Sequence, residues 1–220
     1  MNPSPARVRL LPRELLVKTN PLDQGDWAYR GMLGRVERMR FSAIAAMLRT
    51  RPSARRLLEI GYGSGILLPE LARHCDELHG ADVHDEAAAV TRQVERVGVT
   101  ARLVAGDGCA LPYADRSFDT VVVVSAFEFV PDVALAAREA VRVLTPRGVL
   151  VVVTPGTSPL LDLGLRVLTG ERGEDTFEGR RAQVVPALHA AGDVVEERRL
   201  PFVVGRALPV YRVLAVRSRG

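Results

Sequence analysis

Short apolar runs and longer amphipathic stretches take turns along most of this chain. From residue 56 onward, "RLLEI", "ELHGADV", "ARLVAGD", "FDTVVVVSA" and "GVLVVVTP" have the length and the Val, Ile and Leu content of strands. Between them, "GILLPELARHC", "DEAAAVTRQVERVG" and "PDVALAAREAVRVL" carry apolar residues at helical spacing. The second opens on acidic residues that suit a helix dipole, and the third on Pro131 and Asp132, a helix-start signature. The runs "VVVV" and "VLVVV" lack polar alternation, which predicts strands buried on both faces, as in a parallel sheet. Strand and helix in alternation predict a doubly wound α/β domain.

The two ends of the chain read differently. Residues 1–25 are rich in proline and polar residues and predict a loosely packed arm. A helical pattern follows from Trp27 to Thr50, with Met32, Val36, Met39, Ile44 and Met47 among its apolar positions, until "RPSARR" breaks it. After Pro155 come an apolar helix, "PLLDLGLRVL", an acidic loop, "GERGEDTFEG", a further helix, "RRAQVVPALHAAG", and two strands, "DVVEERRLPFVV" and "VYRVLAVRS". This divides the chain into residues 1–54, an arm and helix with a lid as candidate role, and residues 55–220, the α/β domain.

Composition narrows the class. With 220 residues, 47% hydrophobic and 25% charged, the chain is that of an ordinary globular protein with a sizeable core. No apolar run approaches the ~20 residues of a membrane-spanning helix. The start, "MNPSPARVRLLPRELLVK", has charges and prolines in place of a signal peptide's apolar core, so a cytoplasmic protein is expected. Cys75 and Cys109 lack metal-type spacing, and no metal is expected. Residues 1–56 hold 12 basic against 4 acidic residues, and the remainder 18 against 22. A basic amino-terminal segment suits an anionic substrate, a lipid surface or nucleic acid, or is simply a solvated helix face. Lys18 is the only lysine, so the arginine content is a bias of the whole chain.

The chemistry concentrates at the predicted strand ends. In a doubly wound sheet, ligands sit outside the carboxyl ends of the strands. Glu59, Asp82 and Asp107 fall at the ends of the first three strands, in register with a glycine turn, "GYGSG", at Gly61, Gly63 and Gly65. Asp119 begins the fourth strand, at the opposite end, and reads as structural. The dinucleotide fingerprint G-x-G-x-x-G would need a glycine where Ile66 stands, and no Gly-Lys-Ser/Thr follows for a P-loop. A carboxylate at Glu59 would repel a pyrophosphate and favour a cationic ligand. S-adenosylmethionine carries an ammonium and a sulfonium and no phosphate.

"LLEIGYGSG" resembles the first motif of class I S-adenosylmethionine-dependent methyltransferases. "LVAGDGCALPYADRSFDTVVVVSAFEFVPD" and "REAVRVLTPRGVLVVVTP" are similar to the small-molecule (type 11) branch, typified by ubiquinone and lipid biosynthesis enzymes. The likeness covers roughly residues 55–155, with "ALHAAGDVVEERRLP" similar to the closing helix and strand. It implies a Rossmann-like sheet of seven strands, the last antiparallel, and S-adenosylmethionine as cofactor. It implies that Gly61, Tyr62 and Gly63 let the backbone approach the methionine moiety while Glu59 holds its ammonium. Asp82 would accept from the ribose hydroxyls and Val83 pack on the adenine. Asp107 would accept from the adenine amino group, and Gly108 would donate to the ring. Ser125 and Ala126 would lie beside the transferable methyl, and Trp27 or Tyr29 would close over the cofactor.

Two departures stand out. Phe129 occupies a position that is often histidine in this family, and Pro146-Arg147-Gly148 replaces the usual Pro-Gly-Gly. The first removes a candidate base. Glu128 is a weak substitute for it, since a helix-start role explains it as well. His74, His79, His84 and His189 read as structural or surface residues. The function expected is methyl transfer to a small, largely apolar, lipid-like or anionic acceptor, without nucleic acid. A nicotinamide-dependent Rossmann oxidoreductase and a non-catalytic methyltransferase-like binding protein are the alternatives.

Overall fold

The computed structural model describes residues 8–19, 25–156, 179–201 and 210–219. The strands are β1 (Ala54–Ile60), β2 (Cys75–Asp82), β3 (Arg102–Ala105), β4 (Phe118–Val124), β5 (Leu144–Pro155), β6 (Asp193–Leu200) and β7 (Tyr211–Arg217). They form one sheet in the order β3-β2-β1-β4-β5-β7-β6. The first five run parallel, and β7 lies antiparallel to both β5 and β6. The helices are α1 (Gly31–Arg49), α2 (Leu68–Leu71), α3 (Ala87–Glu95), α4 (Val133–Arg142) and α5 (Arg180–Ala191).

Alternate residues of the central strands feed two separate cores. Leu57, Val122, Val151, Val153 and Val213 face one layer, where Phe41, Ile44 and Met47 of α1 pack with Leu68 of α2 and Val90 of α3. Leu58, Val121, Val123, Leu150 and Leu214 face the other, under Ala136 and Ala140 of α4 and Leu188 of α5. Uninterrupted valine runs are required because both faces are covered. Asp132 caps α4 as its sequence suggests, its carboxylate accepting the Leu135 N–H at 2.8 Å, a cap typically worth about 1 kcal/mol. Asp119 is structural: its carboxylate accepts the Arg56 N–H at 3.0 Å, at the start of β1.

Three sequence expectations change. The described part of the amino-terminal arm, residues 8–19, is not loosely packed: Leu11 is fully buried and its N–H donates to the Ile66 carbonyl at 2.9 Å. Leucines at 11 and 15 supply apolar area that the polar composition of the segment obscures. The helix expected from Trp27 is instead a 3-10 turn, Gly25–Tyr29, followed by α1, whose first residue, Gly31, has φ +35°. The helix after the glycine turn is a single α turn, Leu68–Leu71, tightening into a 3-10 turn at Ala72–His74. Pro69 lacks the N–H that would have bonded the Gly65 carbonyl, which is taken by Leu68 at 3.2 Å instead. The apolar helix expected over residues 159–168 and most of the acidic loop lie outside the described residues.

Candidate cofactor site

The carboxyl ends of β1, β2 and β4 and the turn after β3 converge, and their register brings the sequence-predicted residues together. Glu59 is the penultimate residue of β1, paired with Gly80 on one side and Val122 on the other. This central position buries its carboxyl group, and Oε2 has no hydrogen-bond partner among the described residues. Burial, with a smaller contribution from the nearby Asp82 carboxylate, pushes its pKa up to about 8. An acid in that state is a site prepared for a cation, whose arrival restores the charge that burial disfavours.

The turn that follows is shaped for close approach. A Cβ on Gly61, which has φ +77°, would lie 2.4 Å from the Cβ of Ala126, so the β1 and β4 turns touch here. Gly63 is also left-handed, at φ +49°, but a Cβ there would meet nothing within 4 Å. Its open side is therefore a cradle beside exposed backbone. The Gly63 N–H donates to Asp82 Oδ2 at 2.8 Å, which fixes the loop over the end of β2. Tyr62, two percent exposed, packs edge-on against His84 with ring centroids 4.9 Å apart.

His84, read from the sequence only as structural or surface, is structural. Its Nε2 lies 3.2 Å from the Gly63 carbonyl and its Nδ1 accepts the Glu86 N–H at 3.1 Å, which together assign the proton to Nε2. It braces the glycine loop and lies 3.8 Å from Asp82. Its spacing in "ADVHD", two residues beyond the acid that ends β2, was the available signal.

The outer rim is formed by Val83, Asp107 and Gly108. Val83 is 74% exposed, an uncovered apolar side chain beside the Asp82 carboxylate. The Gly106 N–H donates to the Asp82 carbonyl at 2.7 Å, and Asp107 Oδ1 accepts the Cys109 N–H at 2.8 Å. Gly108 is buried. On the β4 side, Ser125 takes φ +50°, a conformation that costs a non-glycine residue about 1–2 kcal/mol, and its buried hydroxyl has no partner among the described residues. Tyr29 stands apart from this group. Its hydroxyl donates to the Leu11 carbonyl, and the Leu11 N–H in turn donates to the Ile66 carbonyl just after the glycine turn.

The residues present fit a cofactor that is cationic at one end and carries a nucleoside at the other. Glu59 Oε2 offers an unpartnered buried carboxyl to a cation, Gly63 an open cradle, Asp82 a second oxygen, and Val83 an apolar face. A pyrophosphate would meet Glu59 and Asp82 at short range.

Residues 58–152 match the family model described as methyltransferase domain. The chain is 33% identical over 118 residues to a demethylmenaquinone methyltransferase of Thermus thermophilus, covering 52% of this chain and 53% of that one. It is 33% identical over 106 residues to a 2-methyl-6-phytyl-1,4-hydroquinone methyltransferase of Synechocystis, covering 48% of this chain and 33% of that one. The matches thus span between a third and about half of these relatives. Among solved structures, an N-methyltransferase of Bradyrhizobium japonicum in complex with S-adenosylhomocysteine superposes with a TM-score of 0.66. It covers 96% of this chain and 97% of that one at 22% identity, a likeness of fold.

Proposed function

We propose that this chain is a class I S-adenosylmethionine-dependent methyltransferase that transfers a methyl group to a small, largely apolar acceptor, a reading supported by the match of residues 58–152 to the methyltransferase-domain model and by 33% identity to a demethylmenaquinone methyltransferase. The observation that carries the reading is Glu59, a buried carboxyl with a free oxygen above a glycine cradle. Its cofactor is S-adenosylmethionine, which supplies a methyl group on a good leaving group. Glu59 then holds the ammonium, Asp82 the ribose hydroxyls, Val83 and Gly108 the adenine, and Asp107 its amino group. Ser125 and Ala126 line the path toward the acceptor. Positioning and exclusion of water are the protein's main contributions to such a displacement.

An apolar, quinol-like acceptor is supported by two relatives whose names specify menaquinone and hydroquinone substrates. On this reading residues 1–54 wall the acceptor side. Among the described residues no helix is long and apolar enough to cross a membrane, and we place the protein in the cytoplasm. A nicotinamide cofactor is disfavoured by the same Glu59 and Asp82 carboxyls. Isothermal calorimetry separates the two: S-adenosylhomocysteine should bind and NAD should not. Tight NAD binding with no response to S-adenosylhomocysteine would reverse the assignment.

A further inference from the structure

Beyond the cofactor residues, a second buried carboxyl lies at the carboxyl end of β4. Glu128 sits on the 3-10 turn Phe127–Phe129, directly after Ser125 and Ala126, and is one percent exposed. The Thr154 hydroxyl at the end of β5 donates to Oε1 at 2.9 Å. Oε2 has no partner among the described residues.

Charged and titratable groups face it from each neighbouring element. From α5, Arg180 Nε donates to the Glu128 carbonyl at 3.2 Å, and the Arg181 guanidinium donates to the Gly156 carbonyl. From α1, Arg40 pairs with Glu37 at 2.6 Å, and from β7 the Tyr211 hydroxyl donates to Glu37 at 2.8 Å. Burial raises the Glu128 pKa to about 7, while its hydrogen bonds and the arginines Arg40 and Arg181 hold it from rising further.

The chain shows what a buried carboxylate retained for structure looks like. Glu70, fully buried, accepts from the Arg9 N–H at 2.9 Å and from Arg73 at 3.1 Å, with His74 at 3.2 Å and Arg49 at 3.4 Å. Its pKa is lowered by these partners. Glu128 differs in the respect that matters for proton transfer. One oxygen is anchored, the other has no partner among the described residues, and its ionisation is balanced between its two states near neutral pH. It also stands beside Ala126, the residue that abuts Gly61 of the cofactor cradle.

We propose that Glu128 is the proton acceptor for the group being methylated, and that this group is a neutral hydroxyl or amine. The proposal rests on the methyl-transfer reading and specifies its acceptor. With a hydroxyl, Glu128 Oε2 takes the O–H proton as an oxygen electron pair forms the new bond to the methyl carbon; with an amine, the nitrogen lone pair forms that bond and Oε2 takes the proton from the resulting ammonium. In both cases the pair of the broken carbon–sulfur bond stays with sulfur. Thr154 is a positioning residue that holds Oε1 and so aims Oε2. Glu128 thus takes the role that Phe129 leaves vacant.

The test reads Glu128 directly and needs no acceptor. Infrared difference spectra of the full chain saturated with S-adenosylhomocysteine, wild type minus Glu128→Gln, isolate the Glu128 carboxyl band. The band should titrate near neutrality and deuterate within seconds in D2O. Thr154→Val should move its midpoint upward, because it removes a hydrogen bond to the ionised form. A carboxyl that keeps one ionisation state from pH 5 to 9, or that deuterates only as fast as the chain unfolds, overturns the proposal. If Glu128→Gln does not fold, the band displaced by Thr154→Val identifies the group. With catechol and benzylamine as acceptor probes, Glu128→Gln should slow transfer at least about 100-fold. Its S-adenosylhomocysteine affinity should stay within about twofold. A wild-type rate in that variant also overturns the proposal, and where neither probe is methylated the infrared result decides. Failure of wild type to bind S-adenosylhomocysteine would instead refute the methyl-transfer reading.

Discussion

Binding of the cofactor should release a proton, and Glu59 is its source. In the free protein, burial in the middle of the sheet, with a smaller contribution from the neighbouring Asp82 carboxylate, pushes its pKa up to about 8 from the ordinary 4.5. At pH 7 about nine-tenths of the molecules therefore hold it protonated. A bound ammonium favours the carboxylate, so close to one proton should leave per ligand. The sign follows from the raised pKa. The stabilisation from this group is complete below its unfolded value of about 4.5 and is lost as pH rises through about 8. Over that window the free protein loses up to roughly 5 kcal/mol of stability, at 1.36 kcal/mol per unit, and a cation restores part of it. Affinity for S-adenosylhomocysteine should accordingly rise about 50-fold between pH 6 and pH 8. Calorimetry at pH 7 in buffers of different ionisation enthalpy measures the proton directly. The wild type should release about 0.9 proton, and Glu59→Gln none. Binding that is flat with pH, or proton uptake in the wild type, would refute the argument that an uncompensated buried carboxyl receives the cofactor's positive end.

Three further outcomes follow from the geometry. Asp82→Ala removes the acceptor of the Gly63 N–H and of the ribose hydroxyls, and should weaken S-adenosylhomocysteine binding by about 2–3 kcal/mol; an unchanged dissociation constant would misplace the ribose. Gly61→Ala drives a Cβ to 2.4 Å from that of Ala126, so it should abolish cofactor binding and lower the melting temperature, and Ala126→Gly in the same chain should restore part of both. Leu11→Ala leaves a cavity where a fully buried side chain now packs, and chemical denaturation should show a loss of about 2–5 kcal/mol; a loss within experimental error would mean the arm is peripheral.

The strands and the gathering of the candidate cofactor residues at their ends were legible in the sequence because their signals are local. A valine run such as Val121 to Val124 or Val151 to Val153 reports burial on both faces wherever the strand is placed. Glu59 with Gly61 and Gly63, Asp82, and Asp107 with Gly108 each sit within a few residues of a strand end, so the parallel register of β1, β2 and β3 aligns them automatically. Tertiary structure decided what depends on partners distant in the chain. The arm packs because Leu11 meets Ile66, and α1 starts late because the chain turns at Gly31. Glu70 and Glu128 are both buried glutamates, and neither sequence context distinguishes them. One is saturated by Arg9, Arg49, Arg73 and His74, while the other keeps a free oxygen among groups from α1, β5, α5 and β7. The bond from Tyr211 to Glu37 in that second cluster spans 174 residues. Periodicity carries no information at that distance, and only packing of the finished sheet brings such side chains together.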